Sequence, residues 1–160
     1  MASLCGVVRI VSGGQTGADR AALDWAIANG IEHGGWCPKG RRAEDGVIPP
    51  CYELIETRSA AYEQRTKWNV RDSDATLILS LAEELSGGSR FTRETAARLG
   101  KPYLHVHPGI EGPERIRDFL NRYQIKVLNV AGPRAFSEAG IVQFVHAILD
   151  AVARLCAKQE

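Results

Sequence analysis

The sequence predicts an α/β fold in which a mainly parallel sheet of five or more strands lies between two layers of helices. Three observations lead there. Short β-branched or apolar runs alternate with amphipathic segments along the 160 residues. The run ATLILSL at Ala75–Leu81 is continuously apolar, as a strand covered on both faces of a parallel sheet must be. Glycine-rich turns follow the strands and open the helices. Such alternation requires right-handed crossovers, which place the ligand crevice beyond the C-terminal strand edges.

Taken in order, Val7–Val11 is a β-branched strand that runs into SGGQTG, and Ala18–Asn29 carries Ala22, Leu23, Ala26 and Ile27 at helical spacing. Gly30 stops that helix, and Gly34–Cys37 is short enough for a strand. GRRAEDGVIPP at Gly40–Pro50 is polar and punctuated by Gly and Pro, so it is expected to be an irregular surface loop and a plausible lid. A helix over Ala60–Val70, a DSD turn and the strand Ala75–Leu81 follow. SGGSRFT at Ser86–Thr92 leads into a helix ending at Leu99, and YLHVH is the next strand. Ile116–Tyr123 is helical, Lys126–Gly132 is a strand, and Ile141–Leu155 is a long closing helix with an apolar stripe.

The chemistry resides in the turns. In SGGQTGADR, Gly13, Gly14 and Gly17 allow close backbone approach, Ser12, Gln15 and Thr16 add polar groups, and the following helix offers unpaired N–H groups to a phosphate. The pattern is neither GxGxxG nor GxxxxGK[ST], so it implies neither a nicotinamide cofactor nor triphosphate hydrolysis. Asp19 and Arg20 open the helix; Asp19 is either a helix-dipole partner or a group that meets ligand. The second turn pairs Gly87 and Gly88 with Ser89, Thr92 and the forked donor Arg90, and the third leaves Arg134 after Gly132 and Pro133. Lys39 stands by the long loop. On this reading Gly14→Val blocks ligand approach and leaves the fold intact.

Composition sets the outer limits. Twenty Lys and Arg against nineteen Asp and Glu give a net charge of +1, so no global field favours nucleic acid or an anionic membrane. No apolar run reaches the roughly 18 residues of a membrane span, and the start of the chain lacks signal-peptide features; a cytoplasmic protein of one domain, residues 1–160, is expected. Cys5, Cys37, Cys51 and Cys156 form no CxxC pair, which speaks for free thiols rather than a disulfide framework or a metal site. His105 and His107 share one strand face.

SGGQTGADRAALDWA, GWCPKGRRAEDGVIP, RTKWNVRDSDATLI, the second turn and NVAGPR together resemble the molybdenum cofactor carrier family, circularly permuted relatives of YpsA within the SLOG superfamily. The resemblance spans about Val8–Pro133. It implies a three-layer Rossmann-like fold and binding of molybdenum cofactor, a pterin with a terminal phosphate and a dithiolene-held metal, for delivery to molybdoenzymes. The superfamily also contains phosphoribohydrolases, usually dimeric or larger, whose PGGxGTxxE turn carries a Glu assigned to N-glycosidic cleavage. Gly87, Gly88, Thr92 and Glu94 resemble that turn, but no Pro precedes the glycines and Ser89-Arg90-Phe91 separates them from Thr92.

The sequence therefore points first to a homo-oligomeric carrier that binds a phosphate-bearing small ligand, molybdenum cofactor or a nucleotide-like molecule. The alternatives are a nucleotide-processing enzyme using Glu94 or Asp19, and a nucleotide sensor. No protein-held metal is expected.

Overall fold

The computed structural model describes residues 1–159. Its frame is a five-stranded parallel sheet in the order β2-β1-β9-β7-β8. These strands are β1 (Arg9–Val11), β2 (Glu32–Gly34), β7 (Ala75–Leu79), β8 (Tyr103–Val106) and β9 (Val127–Ala131). All five residues of β7 are buried, because β7 is an inner strand with helices on both of its faces. Helix α1 (Ala18–Ala28) packs with α5 (Ile141–Ala157), and α5 packs with α4 (Gly112–Arg122), on one side of the sheet. On the other side α2 (Tyr62–Arg71) packs against α3 (Gly87–Arg98). The main core joins Ala22, Trp25, Ala26, Leu77, Leu128, Ile116, Val145 and Leu149; of the stripe read on the first helix, Leu23 turns instead into a second, smaller core and Ile27 is 45% exposed.

The segment after the first helix departs from expectation. The single strand expected over Gly34–Cys37 is split: β2 ends at Gly34, Gly35 turns the chain with φ +124°, and β3 (Trp36–Cys37) leaves the sheet to pair in parallel with β6 (Ile55–Glu56). A Cβ at Gly35 would lie 2.9 Å from Asn69 Oδ1, and that carboxamide bridges both backbone groups of Trp36 at 2.8 and 2.9 Å.

The stretch expected to be an irregular loop at 40–50 is instead an antiparallel hairpin, β4 (Arg42–Ala43) with β5 (Gly46–Val47). Its neighbours Cys37, Ala43, Ile48 and Tyr52 bury themselves with Leu23 in a second small core. Arg41 braces the segment by donating to the carbonyls of Ile48, Pro49 and Tyr52 at 2.8–3.1 Å. A polar sequence thus becomes ordered through one arginine satisfying several carbonyls and a handful of apolar residues spaced too irregularly to show a period.

The cysteine expectation also needs correction. Cys5 and Cys156 are joined in a disulfide, with Cα atoms 5.1 Å apart and 151 residues between them in sequence. Cys156 is buried in the main core and the half-buried Cys5 packs against it, where the N-terminal segment meets α5. Cys37 and Cys51 are free, one buried and one exposed. Among the described residues no helix is long and apolar enough to cross a membrane.

Candidate functional site

The chain leaves β1 toward β2 and leaves β7 toward β8, in opposite directions across the sheet, with β9 between them. Strand order reverses at this point, where α/β sheets open a crevice at their C-terminal edge. A pocket of about 530 Å³ lies there, within the roughly 300–1,000 Å³ of small-ligand sites. Its walls are the turn after β1, the start of α2, the first turn of α3 and the segment after β9.

The turn after β1 is less open than its glycines suggest. The N–H groups of Ser12, Gln15, Thr16 and Ala18 already donate to Gly34 O, Asp19 Oδ2, Gln15 Oε1 and Pro133 O, at 3.0–3.2 Å. Gly14 has φ +78°, and a Cβ there would stand 2.6 Å from Leu54 Cδ1 and 2.9 Å from Ile48 Cδ1. Gly14 is therefore a packing position on the small core, which overturns the expectation that Gly14→Val would spare the fold. Gly17 likewise admits the segment after β9, since its Cβ would meet Ala135 N at 2.6 Å.

The remaining polar groups of this turn fasten the hairpin. Arg20 donates through Nε to Gly14 O at 2.9 Å and grips both oxygens of Asp45 at 2.6 and 2.8 Å, holding the Asp45 carboxyl below the usual carboxylate range. Thr16 Oγ1 donates to Glu44 Oε2 and accepts from Ala135 N at 3.2 Å. Gln15 Oε1 accepts from the backbone N–H groups of Thr16 and Glu44 at 3.0 and 2.9 Å. Those two bonds fix which way the carboxamide faces, and its Nε2, buried at the pocket wall, has no partner among the described residues. An unpaired buried donor costs about 1–3 kcal/mol, so the wall asks for an acceptor.

Gln15, Gly13 and Asp19 line the pocket, whereas Arg20 is spent on Asp45. Asp19 is 6% exposed, and burial raises its carboxyl above the usual range. The Arg65 guanidinium at 3.7 Å and the Gln15 N–H oppose that rise. Ser12 Oγ lies beside this carboxyl without completing a hydrogen bond. Arg65 reaches Asp19 by crossing Gly13: it donates to Gly13 O at 3.0 Å, and a Cβ on Gly13 would stand 2.7 Å from Arg65 Cδ.

The second glycine pair is the open one. Helix α3 begins at Gly87, so Gly87, Gly88 and Ser89 are its first turn rather than a preceding loop. The first bond of that turn runs from Arg90 N–H to Ser86 O. The N–H groups ahead of it have no acceptor within the helix, no side chain caps them, and the first turn carries no acid. A Cβ on Gly87 or Gly88 would meet nothing within 4 Å. Ser89 and Thr92 line the same wall.

Starting the helix at Gly87 also separates two expected site residues from the pocket. Arg90 and Glu94 stand one turn apart on the exposed face, paired at 3.0 Å, and neither lines the pocket. Lys39 is exposed beyond β3 and stays outside the lining too. Arg134 does line it, with its guanidinium carbon 4.9 Å from the Tyr62 ring centre. His105 is turned away from the pocket: its Nε2 lies 2.6 Å from Ser80 Oγ, and burial lowers its pKa.

Tyr62, Arg65 and Asn129 complete the walls without having been read as site residues. Arg65 and Tyr62 sit on a helix that follows no glycine-rich turn, and periodicity does not say which helix face reaches a distant strand end. Gly13 held the one clue, a glycine whose missing side chain leaves room for an arginine.

Fold and crevice define a Rossmann-like α/β protein with a pocket of small-ligand size at the switch point of a parallel sheet. The chain belongs to the circularly permutated YpsA family of the SLOG group, which it matches over residues 10–153. It is 44% identical to a protein of Syntrophus aciditrophicus SB described as a "putative molybdenum carrier protein", over 92% of this chain and 95% of that one, with a TM-score of 0.89 to its crystal structure. No curated protein matches the chain.

Proposed function

We propose that this protein is a carrier that holds a phosphate-bearing small ligand, molybdenum cofactor or a nucleotide-like molecule, in the pocket at the C-terminal sheet edge. The observation that carries the reading is the first turn of α3: uncapped, free of acid, and open where side chains on Gly87 and Gly88 would stand. Those N–H groups, with Ser89 and Thr92, would seat the phosphate. Gln15 Nε2 would donate to the rest of the ligand, and Arg65 and Arg134 would balance its charge. In this reading Ser12, Gly14, Thr16, Gly17 and Arg20 shape the wall rather than touch ligand.

The residues present fit a molybdopterin cargo in kind. The pocket has room, a phosphate seat, an aromatic face in Phe91, and the polar groups of Asn129 and Asp19 for a heterocycle edge. The dithiolene holds the metal, so the protein need supply no ligand to it. The similarity to the S. aciditrophicus protein supports the same reading. The reading extends to a homo-oligomer of one-domain chains that works in the cytoplasm and delivers its cargo to molybdoenzymes.

Native mass spectrometry of gently purified protein, followed by identification of the released molecule, tests this. A molybdopterin species or a nucleotide is expected, bound and unaltered. Protein that carries no small molecule, and whose melting temperature moves with neither class, overturns the proposal.

A second reading, hydrolysis of a nucleotide, rests on Asp19 rather than Glu94: a buried carboxyl with a raised pKa in the pocket is suited to give up a proton. Release of free base from a nucleoside monophosphate, abolished in Asp19→Asn, would carry it. Turnover that needs Glu94 would refute it.

A further inference from the structure

Three guanidinium groups converge on the ring of Tyr62, at the first position of α2. Their central carbons lie 4.5 Å (Arg42), 5.1 Å (Arg65) and 4.9 Å (Arg134) from the ring centre. No two of the three can then be more than about 10 Å apart, within one Debye length at ordinary salt. Aromatic stacking offsets part of this repulsion and fixes the planes of the guanidinium groups.

Of the three, Arg65 alone has a carboxylate within ion-pair distance among the described residues, Asp19 at 3.7 Å. Among the described residues Arg42 and Arg134 enter no ion pair. Arg42 gives one bond to Ala60 O at 3.0 Å, which leaves most of its fork free. The pocket lining also holds two further carboxylates. Glu44 is turned into the hydrogen bond from Thr16, and Glu63, in the first turn of α2, pairs with none of the three arginines. The cluster is therefore built without the anion that would neutralise it.

Tyr62, Arg65 and Arg134 line the same pocket as the open first turn of α3, yet they stand on different elements, the start of α2 and the segment after β9. We infer that the arginine cluster around Tyr62 is a second oxyanion subsite of this pocket, and that the ligand class is a diphosphate: a nucleoside diphosphate or a pyrophosphate-linked dinucleotide. The first phosphate takes the backbone N–H groups of α3, and the second takes the fork of Arg134, which lines the pocket, with Arg42, outside the lining but stacked on the same ring, adding its charge. This rests on the α3 turn being a phosphate seat, the reading given above.

Inorganic phosphate and pyrophosphate separate the two claims, because neither carries a heterocycle. Titrated into the full chain at low ionic strength and followed by ³¹P NMR, pyrophosphate is expected to bind at least about tenfold tighter than phosphate, the size of one charge-assisted contact. Arg134→Gln and Arg42→Gln, each checked by circular dichroism for an intact fold, should erase most of that difference by lowering pyrophosphate affinity several-fold more than phosphate affinity. Tyr62→Phe, which keeps the ring, should retain the difference. Phosphate binding with no gain for pyrophosphate, or a gain untouched by both arginine variants, overturns the second subsite and leaves the first reading standing. Binding of neither anion overturns both.

Discussion

The two glycine pairs make opposite predictions, and Gly14 and Gly88 test them directly. At Gly14, alanine must adopt φ +78° and place its Cβ 2.6 Å from Leu54 Cδ1 and 2.9 Å from Ile48 Cδ1. The left-handed backbone costs about 1–2 kcal/mol and overpacking of the small core about 1–3 kcal/mol. Gly14→Ala is therefore expected to lose about 2–5 kcal/mol of a stability typically near 5–15 kcal/mol. Gly88 is different: its φ is not positive, and a side chain there meets nothing within 4 Å. Gly88→Val should leave stability within about 0.5 kcal/mol while crowding the phosphate seat and weakening ligand binding by about tenfold or more. Urea unfolding followed by circular dichroism reads the first effect, and calorimetric titration with the ligand recovered from the native protein reads the second. If Gly14→Ala unfolds with the wild-type midpoint and loses only affinity, the turn after β1 is the ligand seat and the assignment to α3 is wrong.

Two further outcomes follow from the same geometry. The Asp19 carboxyl should titrate above its ordinary value of 3.8, and further above it in Arg65→Ala, because the guanidinium that opposes the rise is gone; carbon-detected NMR of the carboxyl gives both midpoints. Since the folded state then holds this proton more tightly than the unfolded one, the contribution of Asp19 to stability falls as pH rises from 3.8 to the folded midpoint and is constant above it. Reduction of the Cys5–Cys156 bond, which closes a loop of about 150 residues, should lower the unfolding free energy by at most about 5 kcal/mol. Alkylation of the unfolded, unreduced protein should label Cys37 and Cys51 alone, and four labels would show that the bond does not form.

The sheet was legible because its strands announce themselves locally. Ala75–Leu79 is apolar throughout, and Arg9–Val11 and Val127–Ala131 are each cut off by a glycine-rich turn, so strand type and parallel sense followed from short windows. What sequence did not disclose depends on pairs far apart in the chain. Cys5 meets Cys156, Gly13 makes room for Arg65, and the backbone N–H and C=O of Trp36 are both bonded by the Asn69 carboxamide. The turns misled for a related reason: both glycine pairs look alike as strings, but at Gly14 the space beside the backbone is filled by Leu54 and Ile48, and at Gly88 it is empty. Glu94 lies outside the pocket lining for a smaller reason, a helix that starts at Gly87 and so turns residues 90 and 94 together toward solvent.

The place of β9 in the sheet bears on how the molecule comes into being. β1 pairs with β2 and β7 with β8, each through a crossover of moderate length, but within the sheet these two pairs are joined through β9 alone, whose Arg9↔Val127 pairing spans most of the chain. During synthesis both halves must wait, each with an open strand edge, until residues 127–131 emerge. Pairings this distant form slowly, which makes insertion of β9 the natural late step of folding. The segment that follows it, Gly132–Arg134, is also a wall of the pocket. Closing the sheet and completing the pocket are thus a single event, and a nascent chain has no finished pocket until the fold is nearly complete.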